Sequence, residues 1–327
     1  MSDEYIRVEN LKKYFATKRG MLHAVDDVSF GIKRGETLGL VGESGCGKST
    51  LGRCLIRLLD STSGKVLLRN DDGNGYTDIT KASPKEMKAL RKRVQIVFQD
   101  PYSCLNPRLS VWELIAEPLI VNNIYSSKNE MRKRIRSLMD TVGLAERLEN
   151  SYPHELDGGR RQRIGIARSL ALNPEFIVLD EPVSALDVCI QAQILNLLNA
   201  LQKEYKYTYV FISHNLSVVR HVSDRIAVMY LGQIVELSEY KELFDKPLHP
   251  YTQALLSAIP LAKLDVKRER IILEGDVPSP IEPPNACRFA GRCRYATDKC
   301  RSVPPALTEV LTGHYAACHY AKENVKQ

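Results

Sequence analysis

The stretch GESGCGKST, residues 42–50, limits what this chain can fold into more than any other. It follows the apolar run ETLGLVG and opens the segment LGRCLIRLL, so a buried strand has to turn sharply into a helix. Glycines let the backbone point its N–H groups at a phosphate chain, and the helix N-terminus adds a favourable dipole. Lys48 then reaches the terminal phosphates and Ser49 ligates Mg²⁺. Gly42, Glu43, Ser44, Gly45, Cys46, Gly47, Lys48, Ser49 and Thr50 are therefore the candidate phosphate-binding residues.

Strands alternate with helices along the rest of the chain, which favours a mostly parallel sheet and an α/β fold. Short apolar or β-branched runs at 36–42, 94–99, 176–180 and 208–213 end in glycine or polar residues, as buried strands do. From 111 to about 172 the periodicity is helical, with interruptions expected at Pro118, Gly143 and Pro153; this reads as a helical subdomain inserted into the sheet domain. After Pro247 come many prolines, four cysteines and little periodicity. The expected division is a P-loop core at 1–100 and 173–247, a helical subdomain at 101–172, and a C-terminal extension at 248–327.

A phosphate cradle needs a metal ligand and a group to activate water, and FIVLD followed by EP offers both. Asp180 ends an apolar strand, where a carboxylate holds Mg²⁺ through water, and Glu181, the next residue out, is assigned as general base. Gln99 ends another strand, with an amide suited to bridging Mg²⁺ and the attacking water. His214 follows the strand TYVFIS, in position for the γ-phosphate.

Bulk properties narrow the setting. With 327 residues, 44% hydrophobic and 26% charged, the composition is that of a globular chain. No apolar run nears the ~18 residues that suggest a membrane span, and MSDEYIRVEN lacks the pattern of a secretory signal, so a cytoplasmic location is expected unless a partner holds the chain elsewhere. A net charge of +7 admits nucleic acid, anionic lipid or phosphate ligands, while the clusters RKR (91–93) and MRKRIR (131–136) read as solvated helix faces.

Taken in order, GESGCGKST, Gln99 in FQDP, LDGGR, VLDEP, SALD at 184–187 and SH at 213–214 resemble the nucleotide-binding subunits of ATP-binding cassette (ABC) transporters. The resemblance implies a RecA-like fold and an ATP hydrolase using Mg²⁺. It also makes Gln99 the Q-loop residue, Ser184 and Asp187 the ends of the D-loop, and His214 the switch histidine, with Phe15, beside Tyr14, the platform for adenine. Longer stretches, such as QDPYSCLNPRLSVWELIAEPL and HPYTQALLSAIP, look like the ATPases of oligopeptide and dipeptide importers, most nearly the subunit lettered F. That likeness implies a heterodimer with a D-type ATPase subunit beneath two permeases, fed by an extracytoplasmic peptide-binding protein. It implies no nucleic acid partner, and a peripheral place on the cytoplasmic face of the inner membrane. Permease helices would dock at 100–118, where Tyr102 and Trp112 are candidate contacts, although core packing explains Trp112 equally well.

In the resembling family two chains sandwich two ATPs head to tail, and the signature of one chain completes the P-loop of the other. The usual signature is Leu-Ser-Gly-Gly-Gln; here it is Leu156-Asp157-Gly158-Gly159-Arg160, so Asp157, Gly158 and Gly159 would face the partner's nucleotide. Asp still suits a helix N-cap. A carboxylate at ~4 Å from a γ-phosphate, however, would cost about 4 kcal/mol at an effective dielectric of 20, with Arg160 and Arg161 expected to offset part of it. The expectation is that the site using this signature is weak and that the site built on Lys48 and Glu181 is competent; the alternative is a tolerated variant with both sites active.

Four cysteines of the extension, Cys287, Cys293, Cys300 and Cys318, have His314 and His319 nearby. Cytosolic disulfides are disfavoured, so these thiols suggest a metal site stapling a segment too small to build a core. Spacing leaves zinc, an iron–sulfur cluster and free thiols open, and the resemblance favours a [4Fe-4S] cluster.

Three other classes fit less well. A DNA-repair ABC protein would need a long coiled-coil insertion and a translation factor two cassettes, and neither pattern occurs; a regulatory subunit that binds ATP without turning it over is disfavoured by Glu181 and His214.

Overall fold

The computed structural model describes residues 4–70, 73–259 and 270–324; of the expected extension, 260–269 and 325–327 lie outside the described residues. In chain order come β1 (Glu4–Thr17), β2 (Gly20–Lys33), β3 (Thr37–Val41), α1 (Lys48–Leu55), β4 (Ser63–Arg69), β5 (Tyr76–Asp78), α2 (Pro84–Arg93) and β6 (Val94–Val97). Next are α3 (Val111–Val121), α4 (Lys128–Thr141), α5 (Gly158–Leu170), β7 (Phe176–Asp180), α6 (Val188–Tyr205), β8 (Thr208–Ser213) and α7 (Leu216–Val222). Last are β9 (Arg225–Tyr230), β10 (Gln233–Glu239), α8 (Tyr240–Asp245), α9 (Pro250–Ser257), α10 (Asp298–Ser302), β11 (Thr308–Leu311), β12 (His314–Ala316) and α11 (Ala321–Asn324).

The chain divides into two compact units, residues 1–81 with 211–327, and residues 82–210; β8 carries the chain from the second back into the first. In the first unit, β2-β1-β4-β5 form an antiparallel sheet, and β3 lies parallel to β9 in the order β11-β12-β10-β9-β3. All five residues of β3 are buried, which its apolar, β-branched sequence favours on both faces. β1 and β2 were not legible as strands. Their pairing slips at four places, from Glu4/Ile6 to Lys13/Tyr14, and each bulge breaks the two-residue alternation that marks a strand in sequence.

The second unit holds the parallel pair β6 and β7 and the helices α2 to α6. α3 starts from a capping box in which the Ser110 hydroxyl accepts from Glu113 N and the Glu113 carboxylate accepts from Ser110 N, a pairing written in the spacing Ser-x-x-Glu. Pro118 does not interrupt α3, contrary to expectation: the helix runs on to Val121. An interior proline costs about 3 kcal/mol, and the burial of Leu114, Ile115, Ala116 and Leu119 on the same helix offsets it. The interruption at Gly143 is real, because α4 ends at Thr141 and Gly143 takes φ +70°. The basic clusters are tied down: Arg93 pairs with Glu175 at 2.9 Å, Arg136 with Glu149 at 3.3 Å, and Arg134 donates to the Leu170 carbonyl at 3.2 Å.

The C-terminal residues belong to the first unit, and one buried carboxylate organises them. Glu236 of β10 accepts from Leu248 N at 2.7 Å and His249 N at 2.9 Å, and meets His314 Nε2 of β12 at 2.7 Å. His249 in turn caps α9, its Nδ1 accepting from Tyr251 N at 3.1 Å. Burial pushes the pKa of His249 down to about 4, against the pull of Glu236. An unfolded histidine protonates near 6.5, so between pH 6.5 and 4 the unfolded chain binds more protons than the folded one. Stability is therefore expected to fall as pH drops through that window and to level off below it. Melting temperature against pH checks this: His249→Asn, which does not titrate there, should show a shallower acid limb than the wild type.

Candidate active site

The phosphate loop lies in the first unit, between β3 and α1. A Cβ on Gly47, at φ +105°, would sit 2.0 Å from the Ala24 carbonyl oxygen, so only glycine fits where α1 begins. Gly47 offers no side chain to cap α1, whose N-terminus carries the positive end of the helix dipole. Lys48 is buried and folds back, donating to the carbonyls of Gly42 at 2.8 Å and Glu43 at 2.9 Å. Ser44 and Gly45, at the tip of the loop, are exposed, while burial raises the pKa of the Cys46 thiol and leaves it a packing residue.

Glu43 is held from three sides. Besides its carbonyl on Lys48, its N–H donates to Tyr251 Oη at 2.9 Å, and its carboxylate pairs with Arg292 Nη1 at 2.9 and 3.2 Å. Neither partner was a sequence candidate; at 208 and 249 residues away, no local spacing marks them.

In β1, Tyr14 stacks on His23 with ring centroids 3.9 Å apart and donates to Asp26, which Arg288 also holds. With Tyr14 engaged, its neighbour Phe15 is 37% exposed, and Lys13 Nζ lies 4.9 Å from its ring centre. His214 is exposed just beyond β8, ahead of Asn215, which caps α7 by accepting from Ser217 N.

The second unit brings the acidic candidates together with Gln99. Asp180 ends β7 and is 1% exposed. Glu181 follows at φ +47°, a left-handed conformation that is costly for a residue with a Cβ. Ser184 supports it, its N–H and hydroxyl both donating to the Glu181 carbonyl, at 3.2 and 3.1 Å. Gln99 Nε2 donates to Glu181 Oε2 at 3.1 Å, which leaves the Gln99 amide oxygen as an acceptor or metal ligand. Asp187 caps α6, accepting from Ile190 N at 3.0 Å.

The altered signature is a well-formed helix start. Asp157 Oδ1 accepts from Arg160 N at 2.8 Å, and its Oδ2 pairs with Arg160 Nη1 at 3.2 Å, so both substituted letters engage each other. Arg161 is engaged elsewhere, donating to the Pro153 carbonyl and lying 3.9 Å from the centre of the Tyr102 ring. The expectation that Arg161 offsets Asp157 gives way to Arg160 alone. Gly159 packs tightly, a Cβ there meeting Ile190 at 2.6 Å.

The iron–sulfur expectation is overturned. Cys287, Cys293, Cys300 and Cys318 line a common cavity, but its volume is 30 Å³, room for little more than water. Among the described residues no group of three or more His, Cys, Asp or Glu side chains is placed to hold a metal ion. Burial raises the pKa of the Cys287 and Cys293 thiols and pushes that of Cys318 up to about 11. The nearby histidines have other partners: Nε2 of His314 meets Glu236, and Nε2 of His319 the Val303 carbonyl. All four cysteines stand as free thiols.

Comparison with known proteins gives matches over nearly the whole chain. Residues 25–184 match the ABC transporter family and residues 235–300 the oligopeptide/dipeptide transporter C-terminal region. The oligopeptide transport ATP-binding protein AppF of Bacillus subtilis is 50% identical over 323 residues, 96% of each chain. OppF of the same organism, also an oligopeptide transport ATP-binding protein, is 52% identical over 271 residues, 83% of this chain and 87% of that one. Among solved structures, the dimeric post-hydrolysis ATP-binding cassette MJ0796, bound to ADP and Pi, matches with a TM-score of 0.64 and 31% identity, over 72% of this chain and 98% of that one.

Gly47→Ala tests the geometry of the loop. Its Cβ cannot be placed without moving the Ala24 carbonyl or α1, so affinity for a nucleoside triphosphate should fall at least about tenfold with little change in far-UV circular dichroism.

Proposed function

The chain belongs to the ATP-binding proteins of ABC transporters, hydrolysing ATP to drive transport, and from that membership we propose that it powers the import of peptides. The relatives named for oligopeptide transport and the match to the oligopeptide/dipeptide C-terminal region support the substrate class. We further assign it as an F-type subunit that pairs with a D-type ATPase beneath two permeases supplied by an extracytoplasmic peptide-binding protein. Among the described residues no helix is long and apolar enough to cross a membrane, in keeping with peripheral attachment to such permeases at the cytoplasmic face. Exposed Tyr102, held by Arg161 in the segment after Gln99, is the proposed permease contact.

The hydrogen bond from Gln99 to Glu181 is the observation that carries hydrolysis. It aims the carboxylate, and the amide oxygen left over suits a water or a hard cation. Mg²⁺ takes oxygen donors, and Ser49, Gln99 and Asp180 are the residues we assign to it; bound Mg²⁺ would offset charge on the phosphates. The roles of the residues follow from their chemistry. Lys48 leaves the loop carbonyls for the terminal phosphates, the α1 N-terminus and loop N–H groups hold the phosphate chain, and Phe15 stacks on adenine. Glu181 accepts a proton from the attacking water, and His214 orients that water and the γ-phosphate. Asp157, Gly158, Gly159 and Asp187 serve the partner's nucleotide. The proposed division of the chain is a core at 1–100 and 173–247, a signature subdomain at 101–172 and an extension from 248.

Replacing the proposed base tests hydrolysis. In the reconstituted complex, Glu181→Gln should lower ATP turnover by about 100-fold or more while ATP binding persists; turnover within a factor of two of wild type would remove Glu181 from the mechanism.

The altered signature supports an asymmetric pair of sites, because in such a pair its carboxylate would face the partner's nucleotide, offset by the exposed Arg160 at 3.2 Å. Restoring the usual letters with Asp157→Ser and Arg160→Gln is then expected to raise the turnover of the complex, measured at saturating ATP. Unchanged turnover would mean that the Asp157–Arg160 pair already substitutes for serine and glutamine.

A further inference from the structure

Glu43 presents a problem in electrostatics. A carboxylate in the second position of a phosphate-binding loop repels the ligand unless something neutralises it. Arg292 does so, its Nη1 reaching both carboxylate oxygens at 2.9 and 3.2 Å, with the arginine side chain 9% exposed and the glutamate 26%. Tyr251 fixes the same residue's backbone, accepting its N–H at 2.9 Å. Both partners come from the region matched to the transporter C-terminal family, which lies outside the matched ABC segment. Four residues before Arg292, Arg288 holds Asp26 beneath Tyr14, next to Phe15.

We propose that Arg292 is a positioning residue of the ATP site, neutralising Glu43 and, with Tyr251, fixing the loop turn on which Lys48 is anchored, so that the C-terminal extension sets nucleotide affinity. This rests on the reading that residues 42–50 bind ATP. The physical content is a charge effect on top of a structural one, and the two predict opposite results for a second substitution. Removing Arg292 leaves Glu43 as an uncompensated anion beside the phosphates; removing the carboxylate as well relieves the repulsion. A role in packing alone would make the second change neutral or worse.

The test measures ATP and ADP dissociation constants by calorimetry on the full chain, with melting temperature as the folding control. Arg292→Ala should weaken ATP binding about tenfold, and ADP binding less, since ATP carries one more negative charge. Arg292→Lys, which keeps the charge without the fork, should stay within about threefold of wild type. The double variant Glu43→Gln/Arg292→Ala should bind ATP better than Arg292→Ala alone, recovering most of the loss. ATP affinity unchanged by Arg292→Ala, or a double variant no better than the single, overturns the proposal. Should Arg292→Ala not fold, Arg292→Gln replaces it with the same expectations. Wild-type chain that fails to bind ATP overturns the reading of the loop and this inference with it, whereas wild-type binding abolished by Lys48→Ala alongside a silent Arg292→Ala overturns the inference alone.

Discussion

A buried ammonium has to be solvated by something, and in this chain Lys48 is solvated by the carbonyls of Gly42 and Glu43. Hydrogen bonds to carbonyls hold the charge without cancelling it, so the lysine waits beside the loop with its attraction for an anion intact. The arrangement needs those carbonyls turned inward, which needs Gly42 at φ +153° with no Cβ against the Met229 carbonyl. It needs α1 to start at Gly47, tight against Ala24. β3, β9 and β2 supply the backbone against which the loop is pressed, so the buried strands and the phosphate chemistry are parts of one constraint.

A second constraint governs the other unit. Glu181 occupies a left-handed conformation that sterics oppose, and Ser184, three residues on, holds the carbonyl that this conformation presents. Asp187, three residues further, starts α6. The spacing Glu-x-x-Ser-x-x-Asp therefore carries two local hydrogen-bonded turns, one at a strained carboxylate-bearing residue and one at a helix start. Its benefit to Glu181 is orientation: a carboxylate on a turn with a fixed carbonyl presents its oxygens to Gln99 in one direction.

Local chemistry was readable in the sequence, and distant chemistry was not. The strand runs at 176–180 and 208–213 coincide with β7 and β8, since a short, fully buried β-branched run between turns has few other uses. The N-cap at Asp157 was legible because it is satisfied within three residues, and the loop glycines were legible as a pattern although the Ala24 and Met229 carbonyls that demand them are distant in sequence. β1 and β2 were missed because bulges scramble their alternation, and Pro118 was misjudged because packing outweighs propensity in a helix with one face buried. Tyr251 and Arg292 had no sequence signal at all: their partner is Glu43, and only the fold brings them to it.

The cysteines show the same limit from the other side. Four thiols spaced over a short proline-rich segment suggested that metal was needed to order it, on the premise that such a segment cannot build a core. The premise fails because the segment does not fold alone. β12 pairs with β10, and Phe289 packs against Tyr230 and Tyr251 with ring centroids 5.3 and 5.5 Å apart. Glu236, 0% exposed, gathers two backbone N–H groups and a histidine. A buried carboxylate is costly unless it is hydrogen-bonded, and these bonds draw β10, the start of α9 and β12 together. The order that a metal would have supplied comes instead from a polar network and aromatic packing shared with β9 and β10, the strands that precede the extension, and the same packing delivers Tyr251 and Arg292 to the phosphate loop.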